Sequence, residues 1–314
     1  MKIIKDFAQE KMPTQAVHAS TILRLANGEI IASWFGGTKE GNDDVDIWLS
    51  RKSQEGWTEP THFCVEKDTP HWNPVLFQKN DGTVCLYFKV GKKIVHWQTY
   101  VSYSKDLGVT WSKPEQLVEG DVSGGRGPVK NKAIYLSNGD ILAPASIEEG
   151  PWRPFVDISK DNGVTWEKSD LILPSDEEQT FMIQPTLWEE TPGYVSMLLR
   201  TNKSKIYRSD SSDWGKTWSK AYPINMPNNN SGIDVVKLQN GKLVLVCNPT
   251  QGDFGPRSPL SVYVSENGID FTEVTKLEDT EGEYSYPSIV ADGNTVYISY
   301  SWKRENVAIV TIEF

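Results

Sequence analysis

A short box of residues recurs about every fifty residues, and this repeat constrains the fold more than any other feature of the chain. Three copies are close to identical: SKDLGVTW ending at Trp111, SKDNGVTW ending at Trp166, and SSDWGKTW ending at Trp218. Degenerate copies end at Trp57 and Phe271, so the closing aromatic residues lie 54, 55, 52 and 53 residues apart. Such a constant interval predicts a repeat architecture. Because Asp, Ser and Thr side chains can hydrogen-bond a turn, we interpret the boxes as scaffold.

A second marker, a glycine turn between two alternating apolar runs, repeats with the same period. Asn-Gly and Asp-Gly between such runs favour a tight hairpin, because the turn needs positive φ. No segment shows a helical period, so the sequence predicts an all-β, six-bladed β-propeller that forms a single domain over residues 1–314. The sixth unit is short after its hairpin, so we expect the segment before His18 to supply its missing strand. The six hairpin glycines are Gly28, Gly82, Gly139, Gly193, Gly241 and Gly293.

Composition narrows the functional classes. The net charge of −10 argues against nucleic acid or an anionic membrane as a partner, and no apolar run is long enough to span a membrane. Cys64, Cys85 and Cys247 are widely spaced and indicate neither a disulfide framework nor a metal site, and we expect no cofactor. The N-terminus lacks an apolar signal-peptide segment. We therefore expect a cytoplasmic protein, or a secreted or periplasmic one if the start is processed.

Polar residues stand near the start of each predicted innermost strand. In a propeller these strands line a central channel, and the strand before each hairpin glycine is the best candidate for that position. Six polar groups converging on one channel mouth predict a binding site, whereas satisfaction of neighbouring backbone is the alternative for each group taken alone. The residues are His18, Asn73, Lys130 with Asn131, Gln184, Asp234, and Tyr284 with Tyr286.

Arginines lie at further suggestive points. Arg200 ends the strand after the fourth hairpin, and Arg257 lies in a loop after the fifth. Two guanidinium groups at the mouth would bind a carboxylate in a forked geometry, so they predict an anionic ligand. The alternative for each is a solvated surface position. Further candidates are Arg126, Arg153 and Arg304.

The box on a six-bladed propeller resembles the sialidase superfamily, also called the BNR or Asp-box repeat family. The segments HASTILRLANGEIIASWFGGTKEG, IQPTLW, NNSGID and YSYPSI resemble its sialidase-like bacterial branch, over nearly the whole chain. The resemblance implies an arginine triad that grips the substrate carboxylate, matched at Arg200 and Arg257. It implies a tyrosine nucleophile, best matched by Tyr286, which pairs with a glutamate, and an aspartate acid/base on a loop of the first blade.

Three positions differ from that pattern. His18 stands where the first arginine is expected, and Gln184 stands where the glutamate partner of the tyrosine is expected. For the loop aspartate, the nearest acidic residues are Glu40 and Asp43. An amide cannot take a proton, and a phenol with a pKa near 10 is a poor nucleophile without help. The candidates for that help are Glu148, Glu283 or nearby arginines.

The leading hypothesis is a sialidase-like exo-glycosidase acting on an acidic sugar or glycan, with Tyr286, Glu40 and His18 as catalytic residues. A tyrosine avoids setting a carboxylate nucleophile against an anionic substrate. One alternative is a polysaccharide lyase or unusual hydrolase on uronic-acid glycans, and another is a non-catalytic glycan-binding propeller. The predicted substrate contacts are Arg200, Arg257, Gln184, Asn73, Lys130, Asn131, Asp234 and Tyr284.

Two expectations concern the aromatic residues. Tyr286, rather than Tyr284, is expected to face the site, because Pro287 disturbs strand pairing and suggests that the strand proper starts around Tyr286. Tyr284 then belongs to the loop above, where it could flank a ligand. Four tryptophans could stack on sugar faces, although blade packing is the preferred interpretation for most of them: Trp72, Trp97, Trp152 and Trp302.

Overall fold

The computed structural model describes residues 1–176 and 179–314, and it confirms the predicted all-β, six-bladed propeller. Strand β1 (Lys2–Phe7) opens the chain and belongs to the last blade. None of the described residues forms a helix long and apolar enough to cross a membrane.

The first three blades follow in chain order, each listed from its innermost strand outward. The first contains β2 (Ala16–Arg24), β3 (Ile30–Gly37), β4 (Asp46–Ser53), β5 (Gly56–Trp57) and β6 (Thr61–Phe63). The second contains β7 (His71–Gln78), β8 (Val84–Val90), β9 (Gln98–Ser104) and β10 (Glu115–Gln116), with a 3₁₀ turn at Ile94–His96. The third contains β11 (Ile134–Tyr135), β12 (Ile141–Ile147), β13 (Arg153–Ser159) and β14 (Glu167–Lys168).

The last three blades have the same antiparallel order. The fourth contains β15 (Met182–Thr191), β16 (Tyr194–Thr201), β17 (Lys205–Ser211) and β18 (Tyr222–Pro227). The fifth contains β19 (Asp234–Lys237), β20 (Leu243–Cys247), β21 (Leu260–Ser265) and β22 (Thr272–Glu278). The sixth contains β23 (Tyr284–Asp292), β24 (Thr295–Trp302), β25 (Asn306–Glu313) and, at its outer edge, β1.

The sixth blade closes the ring. Strand β1 pairs with β25 along its whole length, from Lys2 opposite Glu313 to Phe7 opposite Ala308, so one sheet holds both ends of the chain. The innermost strand of this blade, β23, also contacts β2 of the first blade and β19 of the fifth. The innermost strands therefore surround a common axis.

Adjacent blades pack through apolar faces. Strand β8 is buried along its whole length because sheets cover both of its faces. One core cluster joins the first and second blades through residues that include Phe35 and Phe88. A similar cluster joins the fifth and sixth blades through residues that include Val262 and Ile298. Burial between sheets is therefore what holds the blades together.

Each intact box forms a closed turn between the third and fourth strands of its blade. In the second blade, the Ser104 hydroxyl oxygen accepts a hydrogen bond from the Gly108 N–H at 2.8 Å. The Asp106 carboxylate accepts bonds from the Thr110 N–H at 2.8 Å and the Thr110 hydroxyl at 2.5 Å. These polar groups satisfy one another inside the turn. The same bonds to a box carboxylate recur at Asp161 and Asp213.

The box glycines press against the preceding blade. A Cβ atom added to Gly108 would lie 2.5 Å from Ile31 Cδ1, and one added to Gly215 would lie 2.4 Å from Leu142 Cδ2. Both glycines also have positive φ, at +82° and +80°. Close approach and backbone conformation both require glycine here, so the boxes lock each blade onto its predecessor.

Candidate active site at the mouth of the channel

A bulge interrupts the innermost strands at the channel end opposite the boxes, and it decides where their first side chains point. The pairing register shifts between His18 and Thr21 in the first blade and between Ser285 and Ser288 in the sixth. A left-handed residue occupies the equivalent place in five blades, and such strain in a non-glycine residue costs about 1–3 kcal/mol and clusters at functional sites. These residues are Ala19, Asn73, Lys130, Gln184 and Tyr286.

The bulge separates the two tyrosines of the last blade. Strand β23 begins at Tyr284, which pairs with Trp302, so the strand does not start at Tyr286 as expected. Tyr284 is buried in the blade core, and its hydroxyl lies 2.8 Å from the Thr280 hydroxyl. The expectation that Tyr284 contacts substrate is therefore wrong. Tyr286, two residues on and inside the bulge, lies among charged groups from other blades.

Two arginines and a histidine surround Tyr286. Arg200 Nη1, at the end of β16, donates a hydrogen bond to the Tyr286 hydroxyl at 3.1 Å. The guanidinium carbons of Arg200 and Arg257 lie 5.8 Å and 5.5 Å from the centre of the Tyr286 ring, and Arg257 comes from the loop between β20 and β21. The His18 ring centre is 4.2 Å from that of Tyr286. The fold thus unites four sequence-predicted residues from four blades.

Neighbouring amides hold the Arg200 guanidinium in place. Nε donates to Asn230 Oδ1 at 3.0 Å, Nη1 donates to Gln184 Oε1 at 3.0 Å, and Nη2 donates to the Asn230 carbonyl. Within the described part of the chain, none of its hydrogen-bond partners is a carboxylate. Arg200 therefore keeps its full positive charge beside the tyrosine hydroxyl. Gln184 positions this arginine, and Asn230 is a contributor that the sequence analysis missed.

A chain of ion pairs continues from Arg257 across the mouth. Glu283 Oε1 accepts hydrogen bonds from Arg257 Nη1 at 2.7 Å and from Arg304 Nε at 2.8 Å. Arg304 also pairs with Glu40 of the first-blade loop. Burial alone would raise the pKa of Glu283, but the charges and hydrogen bonds of the two arginines outweigh it and hold the pKa below its ordinary value. Glu283 is therefore an ionised anchor for both guanidinium groups.

His18 is neutral in this setting. Burial, followed by the positive charges of Arg304, Arg257, Arg200 and Lys130, lowers the pKa of His18 well below its ordinary value. Its Nδ1 has no hydrogen-bond partner among the described residues. The neutral imidazole keeps one unprotonated nitrogen that can accept a hydrogen bond or a proton, and the surrounding cations disfavour a lasting imidazolium.

Glu148 is a second acidic group near Arg200. It follows β12, two residues after Ser146, whose hydroxyl oxygen accepts a hydrogen bond from the Gln184 N–H at 3.4 Å. Burial raises the pKa of Glu148, and the charge of Arg200 opposes that rise without cancelling it. A carboxyl group with a raised pKa can hold the proton that a general acid needs. In the sequence, Glu148 was considered only as a possible partner for the tyrosine.

Three predicted substrate contacts have structural roles instead. Lys130 Nζ donates to Asn131 Oδ1 and the Ile233 carbonyl, both at 2.8 Å, and to the Pro287 carbonyl, and burial lowers its pKa to about 7. Asn131 Nδ2 donates to the Gln184 carbonyl at 2.9 Å. Lys130 and Asn131, together with Asp234 described next, are buried and bond to neighbouring blades, so their assignment to substrate binding is corrected.

Asp234 shows why polar residues occur on these innermost strands. Its carboxylate accepts hydrogen bonds from Lys132 Nζ at 2.9 Å and from the Thr186 hydroxyl at 2.6 Å. It also accepts one from the Ile289 N–H of the sixth blade at 2.9 Å. These bonds tie the third, fourth, fifth and sixth blades together below the mouth. Asn73, the third residue of β7, is also buried.

A separate cluster in the first and second blades brings together Asp46, Cys64 and His71, whose donor atoms lie within 4.8 Å of one another. The Val65 N–H donates to His71 Nε2 at 2.9 Å, so a neutral His71 carries its proton on Nδ1. That nitrogen lies 3.2 Å from Asp46 Oδ1. His71 therefore directs its Nδ1 at the Asp46 carboxylate.

Together these features describe a six-bladed propeller with an arginine-lined tyrosine at one end of its channel. A family model described as a BNR repeat-like domain matches residues 28–298, and the chain belongs to that family. This membership confirms the predicted place in the BNR, or Asp-box, repeat family. No curated protein sequence matches the chain.

Solved structures reproduce the fold at low sequence identity. A protein of unknown function from Dyadobacter fermentans is 17% identical with a TM-score of 0.79, and 99% of each chain is covered. The Hadza microbial sialidase Hz136 is 16% identical with a TM-score of 0.80, covering 96% of this chain and 66% of that one. NanB sialidase from Streptococcus pneumoniae is 12% identical with a TM-score of 0.76, covering 98% and 70%. Such identities establish the fold and leave the reaction open.

Proposed function

We propose that the protein is a sialidase-like glycoside hydrolase that releases a terminal acidic sugar from a glycan. The contact between Arg200 Nη1 and the Tyr286 hydroxyl, at 3.1 Å, carries the proposal. A cation fixed on a phenol oxygen stabilises the negative charge that develops when the phenol loses its proton. The arginines thereby favour the ionised phenol, while the proton needs a separate acceptor, since Gln184 stands where a glutamate partner is expected.

The positive charge at the mouth also suits the substrate. Arg200 and Arg257 flank the Tyr286 ring, and Arg304 binds the Glu283 carboxylate. The whole protein nevertheless carries a net charge of −10. A local cluster of guanidinium groups in an acidic protein favours an anionic ligand at that place. Glu283 keeps Arg257 and Arg304 positioned, while Arg200 and the side of the Arg257 guanidinium that does not face Glu283 bind the carboxylate of the sugar.

The proposed reaction has two steps. Neutral His18 accepts the phenol proton while the Tyr286 oxygen bonds to the anomeric carbon, the glycosidic bond breaks, and the departing oxygen takes a proton from Glu148. Water then attacks the anomeric carbon, gives its proton to the Glu148 carboxylate, and releases Tyr286, which recovers its proton from His18. Glu40 was the sequence-based choice for the acid. In the structure its carboxylate is instead paired with Arg304.

A panel of acidic oligosaccharides, with product masses measured, tests the proposal. The expected result is release of a terminal acidic sugar with the addition of one water, lost in Tyr286→Phe protein. Glycans that bind without any change in mass would overturn it and favour a non-catalytic binding protein.

A second candidate reaction is elimination on a uronic-acid glycan, favoured by the contact of a neutral histidine with the tyrosine ring at 4.2 Å. Here His18 would take the proton beside the carboxylate, the arginines would stabilise the resulting charge, and Tyr286 would give its proton to the departing oxygen. The product carries a carbon–carbon double bond and absorbs in the ultraviolet. Ultraviolet absorbance without addition of water would replace the hydrolase proposal with this one.

A further inference from the structure

The outer edge of the sixth blade differs from the other outer edges of the propeller. Strand β1 is the last strand of that sheet, so the edge that faces away from β25 is unpaired. An unpaired edge presents backbone N–H and C=O groups that can bind a further strand. Proteins commonly prevent such binding with very short edge strands, proline, bulges or charged side chains.

The other five blades carry these protections. The outer strands of the second and third blades, β10 and β14, have two residues each, and the outer edge of the first is divided between β5 and β6, with two and three residues. Strand β18 contains Pro223 and Pro227 and one shift of pairing register. Strand β22 has two register shifts and carries Glu273, Lys276 and Glu278. These edges are therefore poor templates for another strand.

Strand β1 is regular and apolar at its centre. It pairs with β25 over six residues in one continuous register, and it contains no proline. Ile3 and Ile4 are 42% and 50% exposed, and because successive side chains of a strand point to opposite faces, each face of this edge presents an isoleucine to solvent. Lys5 is paired with Glu278 of β22, so its charge is balanced within the chain. An edge of this kind favours association with another strand.

The charges on either side of Ile4 indicate which strand fits. When two copies of β1 lie antiparallel about a two-fold axis at Ile4, Lys2 of each copy lies opposite Asp6 of the other, on the same face as the two Ile4 side chains. A register shifted by one residue would instead set Lys2 opposite Lys5, which is unfavourable. Asp6 also pairs with Lys52 of the first blade, but its side chain is 44% exposed and accessible to a second lysine.

We propose that the edge of β1 is a self-association surface, where a second copy of the chain continues the sixth-blade sheet in the antiparallel register centred on Ile4. Both copies use the same edge, so the contact closes on a dimer. One six-residue edge is smaller than a standard protein interface, so the dimer should be weak, with a Kd of about 10–100 μM. The edge lies at the perimeter, whereas Tyr286 lies on the innermost strand of the same blade, so this inference is independent of the proposed reaction.

Sedimentation velocity over protein concentrations from about 1 μM to about 500 μM tests the proposal. The wild-type chain should sediment as a 35.4 kDa monomer at the lowest concentration and approach twice that mass at the highest. Ile4→Lys places two ammonium groups at the axis and should abolish the dimer. Ile269→Lys, at a 40% exposed side chain in the fifth-blade box, is the matched control and should associate as the wild type does.

A charge exchange tests the register itself. Lys2→Glu alone, or Asp6→Lys alone, sets like charges opposite each other in both cross-strand pairs, so each variant should self-associate about tenfold more weakly. When the two variants are mixed, both pairs have opposite charges, and the mixed dimer should form with about the wild-type affinity. Lys52→Ala, which removes only the pairing of Asp6 within the chain, should leave the dimer intact.

Three results would overturn the proposal. The first is a wild-type chain that remains monomeric at every concentration, which would leave this edge to a different partner. The second is a dimer that survives Ile4→Lys, which would place the contact elsewhere. The third is a mixture of Lys2→Glu and Asp6→Lys chains that associates no better than either chain alone. Thermal unfolding of each variant shows that the monomer is still folded.

Discussion

The two faces of the propeller, the box end and the mouth, both place polar residues at repeated positions, but they use them differently. At the box end the blades repeat the same residues, and Ser104, Asp106 and Thr110 satisfy one another within a single turn. At the mouth, equivalent positions hold different residues, and Arg200 bonds to groups from the fifth and sixth blades as well as its own. Identity between blades therefore marks scaffold in this protein, and divergence between blades marks the candidate site.

Removing the Tyr286 hydroxyl should have the largest effect on activity. Tyr286→Phe keeps the ring against His18 and removes the nucleophile, so we expect turnover of an acidic oligosaccharide to fall by about a thousandfold or more, with unfolding unchanged. Steady-state kinetics and thermal unfolding measure the two effects. Tyr284→Phe is the matched control, because it loses only the hydroxyl's bonds to Thr280 and to the Glu281 carbonyl, and it should cost about 1 kcal/mol of stability while turnover persists. Near-normal turnover in Tyr286→Phe would show that this tyrosine only packs in its sheet and takes no part in the reaction.

The geometry of Arg257 should matter as much as its charge. We expect Arg257→Lys to lower kcat/KM for acidic substrates by about a hundredfold, nearly as much as Arg257→Ala, because an ammonium group cannot bind Glu283 and a ligand in a forked arrangement. Arg51→Lys, at the ion pair with Glu29, provides a control and should leave kinetics unchanged. A fully active Arg257→Lys enzyme would contradict a forked carboxylate contact.

Sequence reasoning was accurate where the signal is local. The boxes and hairpin glycines are defined by residues close in the chain, so they predicted six blades. The mouth is defined by contacts between distant residues. Their distance from the hairpin glycines predicts that Lys130 and Asp234 line the site as Tyr286 does. In the structure both side chains bond to neighbouring blades instead. The bulges change the direction of a side chain without changing the number of residues between it and the hairpin glycine. The sharing of Glu283 by Arg257 and Arg304 depends on loops from two blades, which no local pattern reports.

The box end can be weakened without touching the mouth. Gly215→Ala places a Cβ atom 2.4 Å from Leu142 Cδ2 and strains a backbone with φ of +80°, so we expect a loss of about 2–4 kcal/mol in the free energy of unfolding. Gly139→Ala separates the two causes, since its φ is +91° and nothing lies within 4 Å of the added atom. Denaturant unfolding should show the larger loss in Gly215→Ala. Equal losses would mean that the contact between blades contributes nothing.

The box carboxylates should give the smallest effect, visible only in acid. The hydrogen bond from the Thr110 hydroxyl, followed by that from its N–H, lowers the pKa of Asp106 to about 2, and similar bonds lower the pKa of Asp161. At Asp213 burial raises the pKa, but the bonds from Thr217 outweigh it and the pKa is again lowered. A folded-state pKa below the unfolded value of about 3.9 gives stability that is fully present above that value and is lost as pH falls toward 2. The melting temperature, measured between pH 6 and pH 2, should therefore fall most steeply below about pH 4.

Asp106→Asn should make that fall less steep, moving the midpoint of acid unfolding by about half a pH unit or less, and replacing all three box aspartates should reduce the slope further. Asp170→Asn, an exposed carboxylate outside the boxes, is the control. If Asp170→Asn reduced the loss of stability in acid equally, the net charge of the protein, and not the closed turns of the boxes, would account for that loss.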